Sequence, residues 1–232
     1  MEIAGSRFLV AGATGFLGNL IARALTDAGG TVAAAGRDPE ALERISADLG
    51  AVPVPLDYSE AGSAERAVAL AVEGLGGLDG IVIATGAVAF GAAGEIDPAV
   101  ERELMLINAT GPMALISAGL DHLSPGGSVI ALTAVVATFP TAGMAAYSAS
   151  KAALAAYLAA LRRERRKDLA TVLEVSPGHM ETGFAEHALA GSPPKLPEGA
   201  DPGLLVDTVI DAISNDRREV RYDMRANELI VK

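Results

Sequence analysis

Short apolar runs alternate along the chain with longer segments in which apolar residues recur at helical spacing. The runs are RFLVA (7–11), TVAAAG (31–36), VPVPLD (52–57), DGIVIA (79–84), SVIALT (128–133) and TVLEVS (171–176). Helical periodicity covers 16–28, 63–75 and 98–120. Continuous apolar strands suit a parallel sheet that is covered on both faces. The alternation predicts an α/β fold, with one doubly wound, Rossmann-like parallel sheet between helices in a single domain over 1–232.

Three Asp-Pro pairs mark the starts of predicted helices, at 38–39, 97–98 and 201–202. An aspartate side chain caps free N–H groups, and proline is favoured at the first helical position. We therefore interpret these aspartates as helix caps rather than as catalytic acids. A loop rich in Pro and Gly covers 191–203 and is expected to lie over the carboxyl edge of the sheet.

A glycine-rich turn, GATGFLG, joins the first strand to the first helix. Gly12 permits a tight turn, Gly15 lets the backbone approach a pyrophosphate, and Gly18 allows close packing of helix on strand. The helix N-terminus then presents free N–H groups and a partial positive charge. We predict a dinucleotide phosphate site formed by Gly12, Thr14, Gly15, Phe16, Leu17 and Gly18. The alternative is that the glycines serve only a tight turn.

The residues after the second strand bear on the choice of cofactor. An acidic group there would bind the ribose 2′-hydroxyl of NAD(H). The sequence instead reads AAAGRD, which places Arg37 after Gly36. A guanidinium can bind a 2′-phosphate through two hydrogen bonds, whereas a carboxylate would repel it. We predict NADP(H) as the cofactor and consider NAD(H) the alternative, in which Asp38 contacts the ribose.

The overall charge is acidic, with 18 Lys and Arg against 29 Asp and Glu and a net charge of -11. Such a charge repels a nucleic-acid backbone and an anionic membrane surface, so we expect neither partner. Uninterrupted apolar stretches fall short of the roughly 18 residues that span a bilayer. The chain has no Cys, and its three His residues (122, 179 and 187) form no spaced cluster with Asp or Glu. We therefore predict no metal site, and we expect a cytoplasmic protein.

The order of the further sequence motifs resembles that of the short-chain dehydrogenase/reductase family over nearly the whole chain. They are Asp57 in PLDY, ATG at 84–86, Asn108 in LINATG, SVIALTA, Tyr147 and Lys151 in YSASK, and Pro177, Gly178 and Thr182 in SPGHMET. The resemblance implies that a nicotinamide cofactor also contacts Asp57, Ala84, Thr85, Gly86, Asn108, Tyr147, Lys151, Pro177, Gly178, Met180 and Thr182. It also implies a homodimer or homotetramer.

Tyr147 and Lys151 form the centre of the predicted catalytic group. Reduction of a carbonyl needs a proton donor beside the nicotinamide, and Tyr147 is the candidate. Phenols ionise near pH 10, but a cation one helical turn away favours the phenolate. Lys151 supplies that charge, so we expect it to lower the pKa of Tyr147. The resemblance implies that Asn108 holds a helix irregularity and a water that relays protons; alternatively it is a mid-helix residue satisfied by a backbone carbonyl.

Three departures from the family pattern are visible. Phe16 stands where a glycine is usual, Ile83 and Ala84 replace two asparagines, and Ala134 occupies the position of the family's serine. Thr133 is the nearest hydroxyl in sequence and replaces that serine only if the strand end twists or bulges, because neighbouring strand residues face opposite sides. Loss of one such donor costs on the order of 10² to 10³ in rate.

The leading interpretation is an NADP(H)-dependent oxidoreductase. Its partner would be a small-molecule ketone, aldehyde or secondary alcohol. The alternative is a catalytically weakened nucleotide-binding regulatory or scaffold protein. A loop at about 184–200 is expected to line the substrate pocket, with apolar walls from Phe184, Leu189, Pro193 and Leu196.

Overall fold

The computed structural model describes residues 1–195 and 198–232. In the described chain, eight strands form one sheet in the order β3-β2-β1-β4-β5-β6-β7-β8, and all neighbours are parallel except β7 and β8. The strands are β1 (Arg7–Ala11), β2 (Thr31–Gly36), β3 (Val52–Pro55), β4 (Leu78–Ile83), β5 (Leu123–Leu132), β6 (Thr171–Ser176), β7 (Glu219–Asp223) and β8 (Glu228–Val231).

Helices connect the parallel strands. They are α1 (Phe16–Asp27), α2 (Pro39–Leu49), α3 (Ser63–Leu75), α4 (Pro98–Met105), α5 (Gly111–Gly119), α6 (Ala145–Glu164) and α7 (Pro202–Ser214). Aspartate side chains cap three of them: Asp38 accepts from Glu40 N and Ala41 N, Asp97 from Ala99 N, and Asp201 from Gly203 N. The interpretation of these aspartates as caps is confirmed.

Both faces of the sheet are buried, because strand side chains alternate between them. On one face, Phe8 of β1 packs in a core with apolar residues of α1, α2 and α7. On the other face, Leu9 packs with apolar residues of α3, α5 and α6. The Rossmann-like doubly wound arrangement is confirmed, and the parallel order brings the carboxyl ends of β1, β4, β5 and β6 to one edge of the sheet.

The predicted helix over 98–120 is interrupted. A π-helical turn, Leu106–Thr110, separates α4 from α5 and carries Asn108. The whole helical stretch Pro98–His122 is long and apolar enough to cross a membrane by length and composition, with 44% of its most apolar window buried. Core helices of soluble proteins pass the same test, and Leu104, Leu115 and Ile116 are fully buried in the domain.

The hairpin of β7 and β8 was not predicted from the apolar pattern. It extends the sheet beyond β6 with mixed polar and apolar residues, EVRYD and ELIV. Asn227 holds a positive φ of 57° in the turn between them. The alternation and the turn residues were the available signals, and the hairpin proves to border the candidate site.

Candidate active site

The glycine turn between β1 and α1 is tightly packed. Gly12 has a φ of 85°, and a Cβ atom there would lie 2.7 Å from Thr85 N. A Cβ atom at Gly18 would lie 2.0 Å from Gly12 O, so α1 approaches the turn too closely for any side chain. Gly15 begins α1 without a side-chain cap, and Gly15 and Phe16 are exposed. The first N–H groups of α1, including those of Phe16 and Leu17, have no partner within the helix and lie at an exposed turn, which fits a phosphate group.

Thr14 packs against Gly36 at the end of β2, directly before Arg37. A Cβ atom at Gly36 would lie 2.7 Å from Thr14 Cγ2, so the absence of a side chain at Gly36 makes room for the threonine. Arg37, the next residue after Gly36, is exposed. Its positive charge also contributes to the lowered pKa of Asp57, after the hydrogen bonds from Ser59. This edge of the groove thus combines a guanidinium, a hydroxyl and a carboxylate.

The loop after β3 contacts the loop after β4. Asp57 Oδ1 accepts from Ser59 N at 2.8 Å and from Ser59 Oγ at 2.7 Å, and these two bonds are the main reason for its lowered pKa. The neighbouring Tyr58 hydroxyl lies 3.5 Å from Thr85 Oγ1, and desolvation raises the pKa of Tyr58 to about 12. Ala84 N donates to Ala11 O at 2.8 Å. Sequence reasoning missed Tyr58, whose only signal was its position directly after Asp57.

Tyr147 and Lys151 are both buried on the sheet-facing side of α6, with 7% and 3% of their surfaces exposed. Lys151 Nζ donates to Leu132 O, at the end of β5, over 3.2 Å. A Cβ atom at Gly86 would lie 3.3 Å from Lys151 Nζ and 3.6 Å from Asn108 Oδ1. The structure therefore brings together Gly86, Asn108 and Lys151, which the sequence places far apart.

Burial shifts the pKa values of Tyr147 and Lys151 in the directions that disfavour their charged forms. Desolvation lowers the pKa of Lys151 to about 8 and raises the pKa of Tyr147. The direction for Tyr147 is opposite to the expected lowering by Lys151. The physical reason is that Tyr147 is enclosed by an apolar cluster, where an ionised phenol loses the stabilisation it has in water.

Asn108 is fully buried, and its side chain joins three elements. Its Oδ1 accepts from Ala87 N at 2.9 Å, and its Nδ2 donates to Ala87 O at 2.8 Å and to Ser150 Oγ at 2.9 Å. Ser150 Oγ in turn donates to Tyr147 O. The helix irregularity expected at Asn108 is present as the π-helical turn. Sequence reasoning missed the role of Ser150, which ties this asparagine to α6.

Ala134, rather than Thr133, lies beside Tyr147. Ala134 and Tyr147 belong to one buried apolar cluster with Val136, Met144 and other side chains. The Thr133 hydroxyl donates to Glu174 Oε1 at 2.9 Å and lies 3.3 Å from Val175 O, both on β6. The structure thus contradicts the suggestion that Thr133 replaces the missing serine, because its hydroxyl is directed to the neighbouring strand.

The turn after β6 lies beside the segment that follows β5. Pro177 O accepts from Val135 N at 2.9 Å. A Cβ atom at Gly178 would lie 2.7 Å from Tyr222 Cδ1, so this aromatic ring of β7 packs directly on the turn. Met180 is buried in the core, while Thr182 is partly buried and near the surface. Tyr222 was missed because its hairpin was missed.

The loop expected to line a substrate pocket divides into two parts. Leu189 packs against the apolar cluster of Tyr147, whereas Pro193 is exposed. The ring of Phe184 instead reaches the cofactor side, since its Cζ would lie 3.6 Å from a Cβ atom at Gly86. Leu196 lies outside the described residues. In the chain that the structure describes, no group of three or more His, Cys, Asp or Glu could hold a metal ion.

These features are those of an α/β enzyme that binds a dinucleotide. A glycine turn at a helix N-terminus lies at the carboxyl edge of a doubly wound sheet, where such folds bind their ligands. Beside it stand a buried phenol and a buried amine. The phenol can transfer a proton, and the amine can bind hydroxyl or phosphate oxygens.

Comparison with known proteins places the chain in a family. The short chain dehydrogenase family model matches residues 7–192. The chain is 31% identical to the dehydrogenase/reductase SDR family protein 7-like of Anopheles gambiae, over 93% of this chain and 74% of that protein. The chain belongs to the short-chain dehydrogenase/reductase family and is an oxidoreductase that acts on CH–OH or C=O groups.

Two solved structures illustrate the likeness. The alcohol dehydrogenase of Thermococcus sibiricus, complexed with 5-hydroxy-NADP, superimposes with a TM-score of 0.82 at 25% identity, covering 93% of this chain and 95% of that one. A short-chain dehydrogenase/reductase of Burkholderia phymatum in complex with NAD gives a TM-score of 0.85 at 18% identity, covering 94% and 89%. The second likeness concerns the fold alone. The cofactors in these two structures differ.

Proposed function

We propose that this oxidoreductase is an NADP(H)-dependent carbonyl reductase or alcohol dehydrogenase. Its substrate would be a ketone, an aldehyde or a secondary alcohol. The observation that carries the proposal is the meeting of Lys151, Asn108 and Gly86 at the carboxyl edge of the sheet, with Tyr147 one helical turn away. When bound, the nicotinamide would supply or accept the hydride.

The residues around the groove fit such a cofactor. Gly12 and Gly18 have no room for side chains, and the exposed start of α1 offers N–H groups to phosphate oxygens. Arg37 would bind a 2′-phosphate, and Thr14 packs against the preceding Gly36. Lys151 would hold ribose hydroxyls through its three N–H donors. The NADP-type ligand of the Thermococcus sibiricus enzyme supports this choice, and the NAD of the Burkholderia phymatum protein keeps NAD(H) as the alternative.

Tyr147 would hold the transferred proton. Burial raises the pKa of Tyr147, which keeps its phenol protonated at neutral pH. A protonated phenol is the form that can donate to the oxygen of a carbonyl as that oxygen becomes an alkoxide. The amine of Lys151, one helical turn away on α6, would stabilise the phenolate left behind, because the attraction between opposite charges is strongest where both are shielded from water.

The test is NADPH oxidation measured with a panel of ketones and aldehydes. Tyr147→Phe should lower turnover on the order of 10³-fold, which is typical of the loss of a proton-transfer group. Tyr157→Phe is the matched control, because Tyr157 lies on the same helix with its hydroxyl 3.0 Å from Ser117 Oγ and partly exposed. The proposal is wrong if no carbonyl is reduced and Tyr147→Phe leaves cofactor turnover unchanged.

A second candidate is a nucleotide-binding regulatory or scaffold protein with weak chemistry. It is favoured by Ala134, which puts a methyl group where a substrate-binding hydroxyl is usual, and by the Thr133 hydroxyl, which is bonded to Glu174. Ala134→Ser discriminates between the two. A gain on the order of 10²-fold in kcat would indicate a weakened site. A loss of turnover would indicate a pocket shaped for a different substrate.

A further inference from the structure

Phe184 extends its ring toward the groove in front of Lys151. Its Cζ would lie 3.6 Å from a Cβ atom at Gly86, and Lys151 Nζ would lie 3.3 Å from the same point. The ring and the amine thus approach one backbone position from two different elements. Under the proposed function, a cofactor must reach Lys151 through this space, so the ring stands in its path.

The ring is weakly anchored where it lies. Phe184 is 39% exposed, whereas Phe8 in the core is fully buried. Because the stabilisation from burial scales with the apolar area removed from water, displacing this ring costs less free energy than displacing a fully buried one. The neighbouring Leu189, in contrast, packs against the apolar cluster of Tyr147.

Two glycines with positive φ bracket the segment that carries the ring. Gly183 has a φ of 72° and Gly191 a φ of 70°. Nothing lies within 4 Å of the Cβ position of Gly183, so this glycine is required by its backbone conformation rather than by packing. At Gly191 a Cβ atom would lie 1.8 Å from Phe90 O, so that end is tightly packed. The end beside Phe184 is therefore the more loosely packed of the two.

Backbone hydrogen bonds fix the far end of the segment. Leu189 N donates to Val88 O at 2.8 Å, and Phe90 N donates to Ala190 O at 2.9 Å. These bonds hold the loop over the apolar cluster of Tyr147. Movement of Phe184 about Gly183 would leave both hydrogen bonds intact. The cofactor groove would then open while the loop stays over the apolar cluster of Tyr147.

We propose that Phe184 is a displaceable plug over Gly86 and Lys151, and that its displacement about Gly183 sets the affinity for the cofactor. The proposal rests on the proposed function, since it assumes that a dinucleotide engages Lys151. The apparent Kd equals the Kd of the open form divided by the fraction of molecules that are open. A plug that is in place in nine of ten molecules would weaken binding about tenfold.

Calorimetric titration with NADPH tests the plug. Phe184→Ala should lower the Kd, by about tenfold for the closed fraction above, and Phe184→Leu should give an intermediate value. Leu70→Ala is the control, because Leu70 is 43% exposed on α3 and its truncation removes a similar apolar surface. An unchanged or higher Kd for Phe184→Ala, with the wild type still binding NADPH, would overturn the plug and leave the proposed function standing.

A second readout follows the ring itself. The chain contains no Trp, so Phe184→Trp introduces a single reporter. Saturating NADP⁺ should shift its emission to longer wavelength and increase its quenching by acrylamide, as the ring moves into water. Lower acrylamide quenching would show that the ring packs on the cofactor instead, and would overturn the plug. If neither the wild type nor Phe184→Ala binds NADPH or NADH, the proposed function and the plug both fail.

Discussion

The hydroxyl of Thr133 donates to Glu174 Oε1, linking the end of β5 to β6 over 2.9 Å. Thr133 therefore has a structural partner, and its removal should affect stability more than chemistry. We expect Thr133→Val to lower the free energy of unfolding by about 1 kcal/mol, since the partly buried carboxylate of Glu174 loses a donor. We expect turnover to change by less than about threefold, which is far below the effect of losing a transition-state donor.

Urea denaturation and NADPH-dependent turnover measure the two effects of Thr133→Val. Thr141→Val is a suitable control, because Thr141 is exposed and its hydroxyl donates to the nearby Phe139 O at 3.3 Å. A hundredfold loss of turnover with unchanged stability would show that the Thr133 hydroxyl serves the substrate after all.

Lys151 should make stability depend on pH. Burial lowers its pKa from 10.5 to about 8, so between these values the unfolded chain binds more protons than the folded one. Stability therefore rises with pH across this window. Relative to Lys151→Met, the free energy of unfolding of the wild type should increase by on the order of 3 kcal/mol from pH 8 to pH 10.5.

Chemical denaturation at several pH values gives this difference directly. The raised pKa values of Tyr58 and Tyr147 lower stability above about pH 10, because the unfolded chain then loses protons that the folded chain retains. That contribution is present in both proteins and cancels in the comparison. Lys167→Met, at an exposed lysine, is the matched control for the loss of an amine. A difference that is flat from pH 8 to pH 10.5 would mean that Lys151 is not desolvated.

Asn108 should be important for folding as well as for the site. Asn108→Leu leaves both the N–H and the C=O of Ala87 without their side-chain partner and removes the bond to Ser150. We expect a loss on the order of 3 kcal/mol in the free energy of unfolding. Ser150→Ala removes only one of these contacts to Asn108 and should cost about 1 kcal/mol.

Denaturation in urea and hydrogen exchange of the Ala87 amide report on this network. The amide should exchange faster in Asn108→Leu, because its acceptor is gone, and should remain protected in Ser150→Ala. Equal stability of Asn108→Leu and the wild type would show that the π-helical turn does not depend on these bonds.

The sheet was predictable from local sequence to a large extent. The bounds of β1, β2 and β6 match their apolar runs, because a strand buried on both faces needs continuous apolar residues. The glycine turn was predictable for the same local reason, since its spacing fixes the turn and the helix start. The hairpin of β7 and β8 was missed because its strands are only partly buried and carry charged residues.

The interior of the candidate site was less predictable, because it depends on contacts between distant elements. The order of motifs indicated Asn108, Tyr147 and Lys151, but the bond from Asn108 to Ser150 and the packing of Tyr222 on Gly178 depend on the folded chain. The pKa of Tyr147 shows the same limit. The spacing of Tyr147 and Lys151 predicted that the lysine lowers the pKa of the phenol. In the structure, burial in an apolar cluster raises it.

Arg37 should decide between the two cofactors. Because hydrogen bonds to charged groups contribute about 1.5–3 kcal/mol, Arg37→Ala should raise the Kd for NADPH by roughly 10- to 100-fold and leave the Kd for NADH within about twofold. Arg44→Ala is the discriminating control, since Arg44 lines a neighbouring groove between α1 and α2 together with Thr14 and Phe16. If Arg44→Ala weakens NADPH binding and Arg37→Ala does not, the 2′-phosphate lies in that groove. Tighter binding of NADH than of NADPH by the wild type would reject the assignment of NADP(H) altogether.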